Sequence, residues 1–558
     1  MTNHGPQILP KTGPTAVVLT LSVLDDWQGK PEGEAQSVLL AITCLQGLIN
    51  RCSPNKVYLL DFPYRLHWQH PRESGEFGGV HPAQALLDDG LIPFVQETIH
   101  PCQDSRYPAL ELLLRQFGSL VEAVVLIPDC RNVNDPEFGG ARAAGINACT
   151  FEAALPVTET LWEFVRGLGF ELPLLADLRG MDEEDALRWS MRRYLHHPQR
   201  NRQIIGFFGD IGTNAPMMID YFVSTHTFCY FLHSASKHDL EPADDWLRQL
   251  CSKDYYPPAT VHVGPVEGAR VIQRIQRQGH TVVCGFLPNA SVTSSIRLDP
   301  SSYEPVCASS SSQLPAEGDI LLAWETANDG DALDVLSMRM FGELRLDDMA
   351  GEFPCSFRVN PYLLDLFPTL YRWYTQLGGR NSHIVASLND GGASYTEAGQ
   401  RQWTANYQRL LAAANGSIDA VNFFGVGEFP FLEPLNVSLI ITGYMGQPEA
   451  SRWHLYQNQA RTVWCTITGA LKEEAIYDAV RKVVAERQEG PLFLLARTKL
   501  GPAGAAEYTR SLVREFGDRQ FRIMHPIDLA LAWRRFHDAH NANATMEVAH
   551  DTQCDERR

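Results

Sequence analysis

Alternation constrains this chain more than any other feature of its sequence. From Thr260 onward, short apolar runs rich in β-branched residues recur between stretches of helical period. They read TVHVGP (260–265), HTVVCGF (280–286), DILLAWETA (319–327), PCSFRV (354–359), SHIVASL (382–388) and AVNFFGV (420–426). VSLIITGY (437–444), RTVWCTIT (461–468), PLFLLAR (491–497) and QFRIMHP (520–526) continue the series. Between them lie amphipathic helices such as KEEAIYDAVRKVVAERQ and AAEYTRSLVREFG, and Asn360-Pro361 supplies an N-cap and an N1 proline for the helix that follows. Strands apolar on both faces and separated by helices make a parallel sheet covered on both sides. Here they suit an irregular (β/α) barrel better than an open sheet.

The first half alternates less regularly. Thr15–Leu21, Lys56–Phe62, Glu122–Asp129 and Gln203–Asp210 read as strands, and Ala35–Arg51 as a helix. Phe151–Gly169 reads as a helix interrupted near Pro156, and Ala215–Leu232 as an apolar helix or a helix–strand pair. At 558 residues the chain exceeds one hydrophobic core. The polar stretch Ser234–Trp246 leads to a boundary near 255. The expected division is an N-terminal α/β domain (1–255), a barrel-like catalytic domain (256–540) and a flexible tail (541–558).

Charge narrows the partners. The net charge is −19, from 66 acidic and 47 basic residues, and no basic run is present to bind phosphates. Nucleic acid and anionic membrane are therefore not expected partners. No apolar stretch reaches the roughly 18–20 residues that cross a bilayer, and the N-terminus lacks the pattern of a secretory signal. Twelve scattered cysteines without a CxxC pair fit a reducing compartment, so a cytoplasmic location is expected.

Active sites on such barrels form from the loops after the strands. Those loops hold Asn289 and Ser291; Trp324, Glu325, Asp329 and Asp331; Asn360; Asn389, Asp390, Tyr395 and Glu397; Glu428; and Tyr444 and Gln447. Carboxylates and amides dominate, which suits a hydroxyl-rich ligand and a carboxylate pair for acid/base or nucleophilic work. Each has a structural reading beside it. Asp331 can N-cap the helix that follows, Ser394-x-x-Glu397 is a capping box, and Trp324 and Tyr395 can be core aromatics rather than sugar platforms. His262, His280, His383 and His525 read as isolated, and the two HxxH pairs lack the glutamate of HExxH. No metal, nucleotide or other cofactor is implied.

Four segments, in order, resemble the GxGYxYP family of glycoside-hydrolase-like proteins. LQGLINRCSPNKVYLLD (45–61) is similar to the family's QGL-N-R start, LPNASVTSS (287–295) to its PNLS loop, WETANDGDAL (324–333) to its SDGDN loop, and SLNDGGASYTEA (387–398) to the signature itself. Between them, PDCRNVNDP, ALRW and IDYFV keep the family's order. Ser394, Glu397 and Ala398 replace the signature's second glycine, second tyrosine and proline, while Asn328 and Ala332 replace Ser and Asn around Asp329-Gly330-Asp331. The resemblance implies a hydrolase of glycosidic bonds, with Asp329, Asp331 and Asp390 as catalytic carboxylates. Asn289, Trp324, Glu325, Asn389, Tyr395, Glu397 and Glu428 would bind a small-molecule or oligosaccharide substrate. The eroded signature leaves two alternatives on the same scaffold: a tailoring enzyme of small-molecule biosynthesis, and a non-catalytic binding or scaffold protein.

Overall fold

The computed structural model describes residues 17–63, 81–131, 136–208, 218–231, 241–252, 254–256, 261–264, 274–275, 278, 280–285, 287–306, 314–326, 333, 335–350, 352–377, 382–388, 397–423, 429–442, 452–455, 463–466, 473–486, 490–498, 501–517 and 519–555. It is an α/β structure with four sheets, in which each described ladder is parallel except one.

Strands β1 (Val17–Ser22), β2 (Lys56–Leu60) and β3 (Val95–Thr98) form the first sheet, in the order β2-β1-β3. Strands β4 (Ala123–Leu126), β5 (Ala154–Val157) and β6 (Leu174–Asp177) form the second, in the order β5-β4-β6. Here Pro156 does not interrupt a helix. It lies in β5, between helices Pro136–Glu152 and Glu159–Gly167, and β5 is an edge strand, where a residue without an N–H is tolerated.

Helix α1 (Glu32–Cys52) organises this half. It is buried without a break from Ala35 to Asn50, as expected of a helix apolar on all sides. Gly47 lets it close on helix α2 (Ile219–Ser224): a Cβ there would stand 2.6 Å from the Val223 Cβ and 2.8 Å from the Asp220 carbonyl oxygen. At its C-terminal end the Arg51 guanidinium donates to the carbonyls of Thr150 (2.7 Å) and Val223 (3.0 Å). Both are last-turn carbonyls that lack a partner within their own helices.

Strands β7 (Ile204–Phe208), β8 (Phe228–Phe231), β9 (Val261–Gly264) and β10 (Thr281–Cys284) form the third sheet, ordered β10-β9-β7-β8. The two runs that sequence alternation joins to the barrel thus belong to this sheet instead, β9 pairing with β7 and β10 with β9, and the stretch 215–232 resolves to the pair α2–β8. Helix α3 (Glu241–Leu250) occupies part of the polar stretch before 255.

The fourth sheet has nine strands. They are β11 (Asp319–Thr326), β12 (Cys355–Val359), β13 (Ser382–Ser387), β14 (Ile418–Phe423), β15 (Leu439–Thr442), β16 (Arg452–Leu455), β17 (Val463–Thr466), β18 (Leu492–Thr498) and β19 (Gln520–Ile523). The order is β16-β17-β15-β14-β13-β12-β11-β18, with β16 antiparallel to β17. β18 pairs along β11 from Ile320 to Thr326. The other edge of β11 is shared, by β19 up to Leu322 and by β12 from Trp324. Among the described residues no ladder joins β16 to β18.

One face of this sheet packs on helices α4 (Pro368–Gln376), α5 (Glu397–Ala413), α6 (Glu473–Glu486) and α7 (Pro502–Glu515). The opposite face presents Leu321, Ala323, Val385, Ala420, Leu439, Ile441, Val463, Phe493 and Leu495, and is covered by the first turns of helix α8 (Pro526–Asp555) through Ile527, Leu529, Ala530 and Ala532. The helix continues past Asn541, where the sequence suggests a loose tail.

Candidate functional site

Side chains alternate along a strand, so the face covered by α8 can be followed to its carboxyl end. On β11 it runs Leu321, Ala323, Glu325; on β18 Phe493, Leu495, Arg497; on β13 Val385, Ser387; on β14 Ala420, Asn422. The face turns from apolar to polar within one alternation step, and all four polar side chains remain buried. Arg358 joins them from β12.

Glu325 sits between two guanidiniums. Its Oε2 lies 2.8 Å from Arg497 Nε and its Oε1 3.4 Å from Arg358 Nε, with the carboxylate fully buried and the arginines 6% and 3% exposed. Burial by itself would raise the Glu325 carboxyl; the positive charges of Arg358 and Arg497 outweigh it and hold the group below its ordinary range. Glu325 is therefore an ionised anchor for two arginines, unsuited to giving up a proton near neutral pH. Ser356 is the register partner of Glu325 across β11 and β12, and Ser387 and Asn422 are opposite each other across β13 and β14. The Oγ of Ser387, the Oδ1 of Asn422 and the Oγ of Ser356 are buried without a hydrogen-bond partner among the described residues. Buried polar atoms in this state are the exception in folded proteins and suit groups that receive a ligand or water.

Trp324 faces the other way. Its buried indole donates from Nε1 to the Thr509 Oγ1 on α7 at 2.9 Å, so it is a core residue and no sugar platform. An open depression of about 450 Å³ beyond that face is lined by Phe353, Thr509, Arg510 and neighbours, with no carboxylate among them. Glu397 opens α5, is exposed, and pairs with Arg401 one turn on. Asn360 accepts from the Tyr362 backbone N–H at 3.0 Å as a local turn. Asp329, Asp331, Asn389, Asp390, Tyr395, Glu428, Tyr444 and Gln447 lie outside the described residues. In the chain, Asp329 and Asp331 follow β11, Asn389 and Asp390 follow β13, and Glu428 follows β14.

Asn289 belongs to a different buried network. With φ of 56°, in the left-handed region, its Oδ1 accepts from the Leu59 N–H (2.7 Å) and Gln46 Nε2 (2.7 Å), and its Nδ2 donates to the Leu59 carbonyl (2.9 Å). Ser291 accepts from Asn50 Nδ2 (2.7 Å) and donates to Asp220 Oδ2 (2.6 Å). Burial pushes the Asp220 carboxyl up to about 6, against the lowering effect of its bonds from Ser291. Gln46 and Asn50, one helical turn apart on α1, thus grip the loop 287–295, and IDYFV contributes Asp220. Asn289 is occupied on every polar atom by protein, which removes it from the substrate-binding set.

No family model matches the chain, and no curated protein matches it either. A solved structure does. The chain is similar to a "putative hydrolase" from Bacteroides thetaiotaomicron VPI-5482, with 15% identity over 94% of this chain and 96% of that one, and a TM-score of 0.70. The likeness spans both halves of the chain and is a likeness of fold.

Two clusters of nitrogen and sulfur donors give no signal in the sequence. His383 and His525 stack with ring centroids 3.8 Å apart. Cys251, His262 and His280 converge, buried, on one another. Neither carries a local motif, because in each the partners come from elements distant along the chain.

Proposed function

We propose that the chain is a hydrolase, a cytoplasmic member of the GxGYxYP family that cleaves glycosidic bonds at the carboxyl end of its nine-stranded sheet, in the manner of an irregular (β/α) barrel. The observation that carries this reading is the polar end of the inner face: Glu325 clamped by Arg358 and Arg497, with the buried, unpartnered oxygens of Ser356, Ser387 and Asn422 further round the same face. Of the strand ends contributing to it, those of β11, β12, β13 and β14 are each followed in the chain by candidate carboxylates or amides. The hydrolase description of the structural neighbour points the same way, and the thiols of Cys44, Cys149 and Cys229, buried near one another, suit a reducing cytoplasm.

Asp329 and Asp390 are the proposed pair, with Asp331 in support and Asn389, Tyr395 and Glu428 contacting the sugar. One carboxylic acid donates its proton to the glycosidic oxygen as the bond to the anomeric carbon breaks. The other, ionised, attacks that carbon or takes a proton from the attacking water. A separation of roughly 5 Å between them gives retention and about 6.5–9.5 Å inversion. Glu325 would act through the arginines it positions.

Turnover of a panel of aryl glycosides and oligosaccharides tests the reading, with Asp329→Asn and Asp390→Asn beside the unaltered chain. Loss of turnover by a hundredfold or more in both variants is expected. Unchanged turnover in both, or no turnover of any glycoside by the unaltered chain, removes the assignment and leaves the tailoring or binding alternatives.

A further inference from the structure

We infer that Cys251, His262 and His280 form a metal site for a d10 cation of the Zn²⁺ type. His262 lies on β9 and His280 immediately precedes β10, its parallel neighbour; Cys251 immediately follows α3. His262 Nε2 stands 2.8 Å from His280 Nδ1 and 3.9 Å from Cys251 Sγ, and the three donor atoms lie within 4.8 Å of one another. All three side chains are buried, with exposures of 6%, 0% and 1% for Cys251, His262 and His280.

The donor set, the geometry and the support behind it agree. One thiol and two imidazoles are borderline-soft ligands, which favour zinc or a similar ion over magnesium or calcium. With zinc–nitrogen bonds of about 2.0–2.1 Å and a zinc–sulfur bond of about 2.3 Å, a tetrahedral ion needs its nitrogens about 3.3 Å apart and nitrogen and sulfur about 3.6 Å apart. The observed separations bracket those values, so small side-chain rotations admit the ion. The other ring nitrogen of His262 is held by the Tyr230 hydroxyl at 2.8 Å, the kind of outer partner that orients a ligating histidine. Three protein ligands leave one tetrahedral position for a water. β10 is the edge strand of its sheet, and the ion would fasten it and the end of α3 to β9.

Purified full-length protein, stripped with a chelator and titrated with Co²⁺, provides the test. One equivalent should bind with a thiolate-to-cobalt charge-transfer band, and Zn²⁺ should displace it. Cys251→Ser should lose the band, Tyr230→Phe should weaken binding roughly tenfold or more, and the double variant Cys52→Ser/Cys102→Ser should keep it. X-ray absorption of the zinc form reads one sulfur and three nitrogen or oxygen neighbours, two of them imidazoles, from the unaltered chain, so the outcome does not hang on Cys251→Ser folding. No thiolate band in the folded unaltered chain, a band surviving in Cys251→Ser, or one abolished by the Cys52/Cys102 change overturns the site.

Discussion

Glu325 on β11 and Arg497 on β18 are register partners, joined by a 2.8 Å contact between Oε2 and Nε with neither side chain open to solvent. Breaking a buried pair by removing one member costs about 3–5 kcal/mol, because the partner charge is left uncompensated in a poorly polarisable interior. Glu325→Ala strands two guanidiniums and should lower stability by that amount in urea unfolding at neutral pH. Glu325→Gln keeps the shape and should lose less. A Glu325→Ala variant as stable as the parent would mean that the triad is not formed.

Asn289 makes a sharper case for separating side chain from backbone. Asn289→Ala leaves the Leu59 N–H and carbonyl without their partner, at about 1–3 kcal/mol for each buried group, and places a Cβ-bearing residue at φ 56° without the local help asparagine has. Asn289→Gly loses the same bonds and escapes the backbone strain, so it should be about 1 kcal/mol more stable than Asn289→Ala. Equal midpoints for the two in chemical unfolding would remove the backbone part of the account.

Gly47→Ala tests the closeness of α1 and α2. The added carbon meets both a side chain and a carbonyl oxygen of α2 at less than contact distance. Overpacking of this kind costs about 1–3 kcal/mol, so the melting temperature should fall while far-ultraviolet circular dichroism stays the same. An unchanged or raised melting temperature would show that the helices separate freely.

His383 predicts an acid response. Burial first, and then the neighbouring His525, lower it to about 3 from an ordinary 6.5. The unfolded chain therefore takes up a proton as pH falls through 6.5 while the native chain stays neutral. The contribution of this residue is full above 6.5 and is lost progressively toward 3. At pH 5 the loss is roughly 2 kcal/mol. His383→Phe keeps an aromatic ring against His525 and should flatten the stability profile between pH 7 and 5 by about that much. A variant profile parallel to that of the unaltered chain would contradict it.

The parallel α/β class was legible because its strands are long apolar runs, and a run apolar on both faces announces a covered sheet. The same property hid the faces. In DILLAWETA nothing distinguishes the Trp324 side from the Glu325 side until β11 is paired, so a core indole and a clamped carboxylate both read as site residues. Asn289 was misread for another reason: its partner Gln46 is 243 positions away, and no local pattern announces a bond of that span. The runs at 260–265 and 280–286 look like their successors, and only the pairing of β10 with β9 and of β9 with β7 assigns them to a different sheet. Pro156 reads as a helix breaker in the sequence because an edge strand cannot be known from the strand itself.

The covering of the inner sheet face by α8 has a consequence for how the chain is made. Ile527, Leu529, Ala530 and Ala532 come later in the chain than every strand they cover, so they leave the ribosome after the whole sheet, and β18 and β19 emerge only shortly before them. Until then Leu321, Ala323, Val385 and Ala420 belong to a nascent sheet whose apolar face has no cover. The cover of this face is thus made only after α8 has been synthesised, and a chain cut short before α8 leaves that face exposed to association with other chains.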